Sequence, residues 1–577
     1  MAVETSHNFH QAMALPLQME PVAFDGLFGW FSPGISRRGV ILCGTHGFEQ
    51  LSAHRSWRTL GERIAATGCA TLRFDYPGEG DSGDLGSGRV ESWLRAIRRA
   101  IRYLREEAGS EEIVLVGLRL GGTLAALAAE GEAVDRVALL APFASGRAYL
   151  RELKLQSRTI GVLPDGAPLT QEEGVLNVGG FRICPDLATD LSALDLKAPA
   201  RPPAPSVLLL GAEASGLAKR YAALGSDVTA LPFPGLAQLL ANPLFAVAPE
   251  DSFARVVDFV AQGALPSPAP LRAPSPSARI EGPAWSEEPQ RLGADLFGIL
   301  CRPYRAVQRH PTVLFVNAGT NPHSGWGRQT TANARRLASE GIASLRLDLR
   351  GIGDSPDRPS GASPLYSLDP LDDVRAALDH LDAIGLGPVV IVGACSGAHL
   401  GFQAVCREPR LAGALLINPY CFDWNPDDDV ETVIRNVFRS NATYLNMLRQ
   451  GTSWRRLLRG EIRGWAIGVA LARTARARLG ARLARLVRPA PAGGTVAQRI
   501  AMIRQRGARI RLVYSAGDRG LQSLHEHLGR TPERIAQRLG EPVVVIDGVD
   551  HDLSTAAAQE ELYRTMRIFL LEGAESS

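Results

Sequence analysis

The sequence predicts an α/β fold that occurs twice, as two tandem domains, each a mostly parallel sheet flanked by helices. Three observations predict it. Short apolar runs alternate with segments of helical periodicity along most of the 577 residues. One strand-and-loop sequence, 72–82, returns at 345–355 with seven of eleven positions identical. A proline-rich stretch at 263–284 separates the two copies.

These observations divide the chain into three parts. We predict a first domain at 1–262, a linker at 263–284 and a second domain at 285–577. A chain of this length is too long for a single hydrophobic core. Within the second domain an insertion, about 420–508, separates two predicted strands, and its length and helical periodicity predict a helical lid.

The composition excludes several classes of protein. A formal net charge of +3 gives no overall field that would favour nucleic acid. The seven cysteines lack the spacing of a zinc site or a disulfide framework. The sequence shows no secretory signal and no apolar run long enough for a membrane span. We therefore expect a cytoplasmic protein with neither a metal nor an organic cofactor.

The predicted strands of the first domain alternate with helices, which is typical of a parallel sheet covered on both faces. They lie at 39–43, 69–74, 112–116, 136–142, 206–210 and 228–231, with helices predicted near 57–66 and 90–106.

The second domain repeats this alternation. Its predicted strands lie at 312–316, 343–347, 388–391, 412–418, 510–514 and 542–546, with a helix at 371–384. The two elbow glycines, Gly117 and Gly393, lie 276 residues apart, close to the 273 that separate the repeated loops, which indicates a tandem duplication of one domain type.

One turn of the second domain presents a thiol. The apolar run 388–391 leads into Gly-Ala-Cys-Ser-Gly, centred on Cys395, and a helix-compatible stretch follows. Glycines on both sides allow the sharp turn of a nucleophile elbow, which lifts one side chain above the sheet. We interpret Cys395 as a nucleophile.

A thiol nucleophile needs a base, and the base needs an acid that orients it. Asp518 follows the predicted strand 510–514, and His551 follows the strand 542–546. Nucleophile, acid and histidine thus occur in the order expected for a nucleophile elbow. For the oxyanion hole we predict the backbone N–H of Ser396 and one donor from either Thr320 or Asn321.

The first domain has different residues at the corresponding positions. Arg119 occupies the elbow, Glu213 is the available acid, and Gln238 aligns with the histidine. A guanidinium is no nucleophile, so this half is predicted to have lost its chemistry. Arg119 could instead bind a phosphate or carboxylate, or pair with an internal acid such as Glu213.

The insertion contains a basic segment. Between 449 and 488 there are eleven arginines and a single acid, Glu461, with tryptophan and aliphatic residues interleaved. This segment could be a solvated face of the lid. It could also bind an acidic partner such as an acyl carrier protein or coenzyme A. A peripheral membrane contact is less favoured, and nucleic acid least of all.

With these motifs in place, the chain resembles the α/β-hydrolase superfamily in both halves. It is most similar to serine aminopeptidase-like hydrolases, especially those found with exosortase, exopolysaccharide or acyl-carrier biosynthetic systems. The motifs that carry the resemblance are Gly-Leu-Arg-Leu-Gly-Gly (117–122), Asn-Ala-Gly (317–319), Gly-Ala-Cys-Ser-Gly-Ala (393–398) and Ile-Asn-Pro-Tyr-Cys-Phe-Asp-Trp (417–424).

The resemblance implies Cys395 as nucleophile, Asp518 as acid and His551 as base. It departs from the family pattern because a cysteine replaces the usual serine. A thiol forms a thioester acyl-enzyme, so we expect an acyltransferase or thioesterase that takes a carrier-bound or coenzyme A-bound acyl group. A carboxylester hydrolase of small esters and a non-catalytic scaffold protein are the alternatives.

Overall fold

The computed structural model describes residues 19–575 with gaps. The gaps are 87–88, 164–166, 168, 170–171, 212–213, 269–270, 272–277, 294, 308–309, 362, 426–429 and 431–493. Most of the predicted lid, its arginine-rich segment and Glu213 therefore lie outside the described residues, as do parts of the proline-rich linker.

Two large sheets carry the described part of the chain, and a short hairpin (β7 and β8) lies apart from them. The strands before the proline-rich stretch are β1 (Glu20–Phe24), β2 (Leu27–Ser32), β3 (Arg38–Cys43), β4 (Ala70–Phe74), β5 (Glu112–Leu118), β6 (Arg136–Leu140), β7 (Leu176–Val178), β8 (Phe181–Ile183), β9 (Ser206–Leu210) and β10 (Asp227–Leu231). Those after it are β11 (Ile280–Glu281), β12 (Trp285–Leu292), β13 (Leu296–Pro303), β14 (Thr312–Phe315), β15 (Ser344–Leu347), β16 (Val389–Ala394), β17 (Leu411–Ile417), β18 (Arg509–Ser515) and β19 (Val544–Ile546).

The two sheets share one topology. The first has the order β1-β2-β4-β3-β5-β6-β9-β10, and the second has β12-β13-β15-β14-β16-β17-β18-β19 with β11 added at its edge. In each, the first three strands of this shared order pair antiparallel and the others pair parallel. The prediction of two mostly parallel sheets is confirmed, although the antiparallel strands at the start of each domain were not foreseen.

Helices cover both faces of the sheets, because the central parallel strands are apolar on both sides. In the first domain they are α1 (Phe48–Ala65), α2 (Arg89–Arg102), α3 (Leu120–Ala128), α4 (Gly146–Gln156), α5 (Pro185–Ser192), α6 (Ala214–Ala223), α7 (Leu236–Leu239) and α8 (Glu250–Ala261). In the second they are α9 (Gln329–Ser339), α10 (Leu371–Ala383), α11 (Ser396–Arg407), α12 (Val496–Gln505), α13 (Gly520–Leu528), α14 (Pro532–Leu539) and α15 (Ala556–Glu575). No helix in the described parts of the chain is both long and apolar enough to span a membrane.

The repeated sequence Asp-x-x-Gly-x-Gly-Asp-Ser builds the same loop in each domain. The hydroxyl of its serine, Ser82 or Ser355, donates to the carbonyl of the leading aspartate at 2.6 Å. The same hydroxyl accepts the N–H of Phe28 in β2 or of Phe297 in β13 at 2.8 Å. The motif therefore fastens the loop to the neighbouring antiparallel strand.

These two loops also form the contact between the domains, and the contact is reciprocal. Arg73 of β4 pairs with Asp354 of the opposite loop at 2.5 Å, and Arg346 of β15 pairs with Asp81 at 2.7 Å. Since the two arginines occupy equivalent positions of the repeat, as do the two aspartates, the halves pack about an approximate twofold axis, as in an isologous dimer.

A second pair of equivalent contacts flanks the first. Arg55 of α1 meets Asp357 at 3.1 Å, and Arg328 meets Asp84 at 2.7 Å. Apolar packing also continues across the boundary, where the ring centroids of Trp30 and Phe297 lie 4.6 Å apart.

One histidine breaks the symmetry of this contact. His323 is buried, and its ring nitrogens meet Asp81 at 2.6 Å and Asp348 at 2.7 Å. Burial lowers the pKa of His323, but the two carboxylates outweigh burial and hold this pKa well above its usual value. His323 is therefore a cation at the centre of the interface.

His323, Asp348 and Asp354 also present ligand-type atoms within 4.8 Å of one another. Their bonding is already accounted for. The oxygens of Asp348 accept the backbone N–H groups of His323 at 2.7 Å and Asp354 at 2.9 Å. We therefore assign this cluster to the domain interface rather than to a metal centre.

Candidate active site

Cys395 lies in the turn between β16 and α11 with a strained backbone, at φ 53° and ψ −116°. Close packing imposes this turn. A Cβ on Gly393 would come within 2.3 Å of the carbonyl oxygen of Gly397, and one on Gly397 within 2.4 Å of that of Asn317. The two glycines therefore allow the loop, the strand and the helix to meet, and the thiol is left half-buried at the carboxyl end of the sheet.

Asp518 and His551 lie in the loops that follow β18 and β19. The Nδ1 of His551 lies 2.6 Å from Oδ2 of Asp518, and a single cavity of about 90 Å³ is lined by both Cys395 and His551. Burial lowers the pKa of His551, but interactions with Cys395 and with Asp518 outweigh it and hold that pKa well above its ordinary value. The three residues named from the sequence thus come together at one edge of the sheet.

A buried polar network, which the sequence analysis missed, holds the histidine loop. Asn418 follows β17 at φ 46° and donates to the carbonyl of His551 at 2.6 Å. Its amide also donates to Ser515 Oγ at 3.0 Å, and that hydroxyl donates to the carbonyl of Asp550 at 2.7 Å. The Ile-Asn-Pro sequence at 417–419 was the available indication of this role for Asn418, since an Asn directly after a strand tolerates a positive φ.

The first domain contacts the same loop. Asn177, in the hairpin of β7 and β8, donates its amide N–H to the carbonyl of Ser554 at 3.1 Å. Asp550 in turn accepts the backbone N–H and the hydroxyl of Ser554, each at 2.8 Å. The position of His551 therefore depends on both halves of the chain.

The predicted oxyanion donors have distinct environments. Ser396 begins α11, and its side-chain oxygen accepts the N–H of Gly319 at 2.9 Å. The N–H of Asn321 donates to the carbonyl of Ala318 at 3.2 Å in a turn, so it is already used. Among the described residues, the N–H groups of Ser396 and Thr320 have no intramolecular acceptor, which favours Thr320 over Asn321.

Tyr366 is a further residue of the site, and no sequence motif singled it out. Its hydroxyl lies 3.6 Å from Sγ of Cys395. The residue is buried at φ 55°, and its ring stacks on Trp424 with centroids 4.5 Å apart. Burial, with smaller contributions from Cys395 and Cys421, raises the pKa of Tyr366 well above its usual value, so the group stays a neutral hydroxyl.

Asp552 shares the cavity with Cys395 and His551. Burial raises the pKa of its carboxyl to about 7, while the neighbouring His551 acts to lower it. The site therefore contains a second titratable acid beside the histidine, in addition to Asp518.

In the first domain the corresponding elbow has the same backbone, with Arg119 at φ 52° and ψ −119°. The guanidinium donates to Glu49 at 3.1 Å, forms a short ion pair with Glu152, and lies 4.2 Å from the ring centre of Phe143. Burial lowers the pKa of Arg119, but the two glutamates outweigh it and raise this pKa above its ordinary value.

These contacts revise two expectations for the first domain. Arg119 pairs with the internal acids Glu49 and Glu152, while Glu213, the acid named from the sequence, lies outside the described residues. Two carboxylates more than neutralise one guanidinium, which disfavours anion binding here. Gln238, the residue aligned with His551, is exposed in α7, and the hydrogen bonds of the Arg119 side chain in the described part of the chain go to Glu49 and Glu152 instead.

Comparison with protein families places both halves in one fold. Residues 313–565 match a family model described as "Alpha/beta hydrolase family", and residues 40–161 match one described as "alpha/beta hydrolase fold". The chain therefore contains two tandem α/β-hydrolase domains. No curated protein matches the chain.

Comparison with solved structures gives matches of low sequence identity, three of which follow. Est1E from Butyrivibrio proteoclasticus, bound to ferulic acid, shares 19% identity, with 41% of this chain and 96% of that chain covered and a TM-score of 0.31. An α/β serine hydrolase homologue from Coxiella burnetii shares 12% identity, with 50% and 93% covered and a TM-score of 0.27. A bacterial membrane phospholipase A shares 19% identity, with 51% and 88% covered and a TM-score of 0.30.

Proposed function

We propose that this chain of two α/β-hydrolase domains is an acyltransferase or thioesterase whose chemistry resides in the second domain. Cys395 is the nucleophile, His551 the base and acid, and Asp518 the group that orients the imidazole. The observation that carries the proposal is a thiol on a strained elbow that shares a cavity with a histidine paired to an aspartate at 2.6 Å.

In the first half-reaction the thiolate of Cys395 attacks the carbonyl carbon of an acyl thioester. The negative charge that develops on the carbonyl oxygen is stabilised by the N–H groups of Ser396 and Thr320. When the tetrahedral intermediate collapses, the C–S bond of the donor breaks and His551 donates a proton to the leaving thiolate. The acyl group is then held on Cys395 as a thioester.

In the second half-reaction His551 removes a proton from the acceptor, which is water in a thioesterase and an alcohol or amine in an acyltransferase. The acceptor attacks the acyl carbon, and Cys395 leaves as a thiolate. A thioester retains more acyl-transfer potential than an oxygen ester, so a cysteine suits transfer to a second nucleophile. The contact between His551 Nδ1 and Asp518 at 2.6 Å supports this scheme, because it orients the imidazole that exchanges the proton with the acceptor.

Intact-mass spectrometry after incubation with an acyl-N-acetylcysteamine thioester tests the proposal. We expect a covalent adduct with the mass of the acyl group, which Cys395→Ala abolishes. Cys406→Ala is the matched control, since Cys406 is another half-buried thiol but lies on the core side of α11. No adduct with any acyl donor would contradict the proposal, and turnover of nitrophenyl esters alone would indicate a carboxylester hydrolase.

The acyl donor class suggests a partner. The arginine-rich segment 449–488 supports binding of an acyl carrier protein or of the phosphates of coenzyme A, since its charge is almost entirely positive. We expect an acyl carrier protein to bind this chain, and we expect its affinity to fall as the salt concentration rises. The binding should be lost when arginines of this segment are replaced. Binding unchanged by these replacements would refute the partner.

A further inference from the structure

A loop of the first domain reaches the active site of the second. The loop 240–248 follows α7 and turns through a hydrogen bond from the N–H of Phe245 to the carbonyl of Asn242 at 2.7 Å. The side chain of Asn242 accepts the N–H of Leu244 at 3.1 Å, which fixes the turn. The turn therefore presents two consecutive apolar side chains, Leu244 and Phe245.

These two side chains contact the second domain beside its nucleophile. Leu244 lies so close to Gly319 that a Cβ built on this glycine would be 3.6 Å from Leu244 Cδ2. Gly319 in turn donates its N–H to Ser396, the residue after Cys395. Leu244 thus lies next to the loop that bears the proposed oxyanion donor Thr320.

Leu244 and Phe245 also belong to one apolar cluster with aromatic residues of the second domain. That cluster is centred on Leu365 and Tyr366, and the partly buried members packed against them are Leu244, Phe245, Tyr420, Cys421, Trp424 and Val430. The hydroxyl of Tyr366 lies 3.6 Å from the thiol of Cys395, so the cluster that contains Leu244 and Phe245 reaches the nucleophile itself.

We propose that Leu244 and Phe245 of the first domain form a wall of the acyl pocket of the second domain, and that this pocket accepts an apolar acyl group whose length the wall limits. The inference rests on the proposed function for its substrate. A wall of leucine and aromatic rings stabilises a bound alkyl or aromatic acyl group by burying it, whereas a charged acyl group would lose its hydration without a partner.

The position of this loop gives the first domain, which lacks the catalytic residues, a role in the active site of the second domain. In the second domain the loop after the last strand carries His551. In the first domain the loop after β10 contains Gln238, whose carbonyl accepts the N–H of Val247 and so closes the loop that bears Leu244. The same structural position supplies a base in one domain and a pocket wall in the other.

The first test compares acyl chain lengths. For Leu244→Ala and Phe245→Ala we expect kcat/KM for a decanoyl thioester to rise about tenfold relative to an acetyl thioester, since a hydrophobic pocket discriminates by about this factor per group removed. Leu244→Trp should shift the preference the other way. Val247→Ala is the matched control, because Val247 lies in the same loop but is 60% exposed.

The second test needs no enzymatic activity. The rates at which N-benzylmaleimide and iodoacetamide alkylate Cys395 are measured by peptide mass spectrometry. The rate with the bulky N-benzylmaleimide, divided by the rate with the small iodoacetamide, should rise in Leu244→Ala and Phe245→Ala but not in Val247→Ala. If both variants keep the wild-type chain-length profile and the wild-type ratio, the wall is refuted. If no thioester acylates Cys395 in the wild type, the proposed function fails, and the alkylation ratio alone then decides for or against the wall.

Discussion

The two elbows of this protein have nearly the same backbone and opposite surroundings. Cys395 and Arg119 differ by only a few degrees in φ and ψ. Around Cys395 lie a histidine, an aspartate and a neutral tyrosine hydroxyl, whereas around Arg119 lie two carboxylates and a phenyl ring. The glycines and close packing of the turn determine its shape, while the residues that face it determine its chemistry. A strained elbow by itself therefore does not identify an active domain.

The largest expected effect concerns Asp518, the residue that contacts His551 near the elbow of the second domain. Asp518→Asn should lower the rate of Cys395 acylation on the order of 10³–10⁴-fold, because the imidazole loses the carboxylate that orients it. The alkaline limb of the pH–rate profile should also move to lower pH, since Asp518 raises the pKa of His551. Pre-steady-state acylation measured between mildly acidic and alkaline pH checks both.

Asp547→Asn is the control for this experiment, because Asp547 is exposed in the same loop as His551. An unchanged rate in Asp518→Asn would show that the 2.6 Å contact has no catalytic role.

The second prediction concerns Arg119, the residue at the elbow of the first domain. Arg119→Ala should reduce the free energy of unfolding of the first domain by about 3–5 kcal/mol, because it leaves Glu49 buried without its cation. Hydrogen-exchange mass spectrometry of first-domain peptides measures the loss, and the exposed Arg95→Ala is the control. Glu49→Gln added to Arg119→Ala should recover part of it, whereas wild-type protection in the single variant would contradict the assignment.

The third prediction tests the reciprocal interface. Arg346→Ala should lower stability by about 3 kcal/mol, because Asp81 and Glu287 lose this cation but keep His323 and Arg335, each at 2.6 Å. Arg73→Ala should cost more, about 4–5 kcal/mol, because Asp354 then keeps only the longer contact with His54 at 3.6 Å. Urea denaturation of the two variants checks the order, and equal losses would mean that the symmetric positions are also energetically equivalent.

The fourth prediction concerns pH. The pKa of His323 is raised in the folded chain, so its ion pairs contribute their full stability below the unfolded value of about 6.5 and lose it as pH rises through the folded pKa. The midpoint of urea unfolding should therefore fall at alkaline pH, and His323→Gln should flatten this dependence. His525→Gln, at an exposed histidine of α13, should leave it unchanged, and an equal slope in His323→Gln would contradict the assignment.

The smallest expected effect concerns Asp552, whose pKa is raised to about 7 mainly by burial. Once ionised, its carboxylate favours the imidazolium of His551. Asp552→Asn should therefore remove an inflection near neutral pH from the acylation profile while changing the rate only a few-fold. A profile identical to that of the wild type would show that Asp552 does not influence the site.

The sequence by itself determined the features that short stretches encode. The duplicated loops predicted two copies of one parallel fold, because their glycines, aspartates and serines are required within a single turn. The elbow glycines predicted Cys395 as the nucleophile, and the strand ends that follow it predicted Asp518 and His551 as its partners. The antiparallel strands at the start of each domain escaped prediction, since β1 and β12 lack a clear apolar alternation and a glycine interrupts the apolar runs of β2 and β13.

Only the tertiary structure decided which distant residues meet. The pairing of Arg119 with Glu49 and Glu152, the approach of Tyr366 to Cys395, and the placing of Leu244 beside Gly319 follow from how helices and loops pack, and no local spacing encodes them. Buried charges need partners wherever the fold supplies them. The repeat sequence likewise contains both arginines and both aspartates of the interface, but only the packing of the two halves shows that each arginine pairs with the aspartate of the other copy.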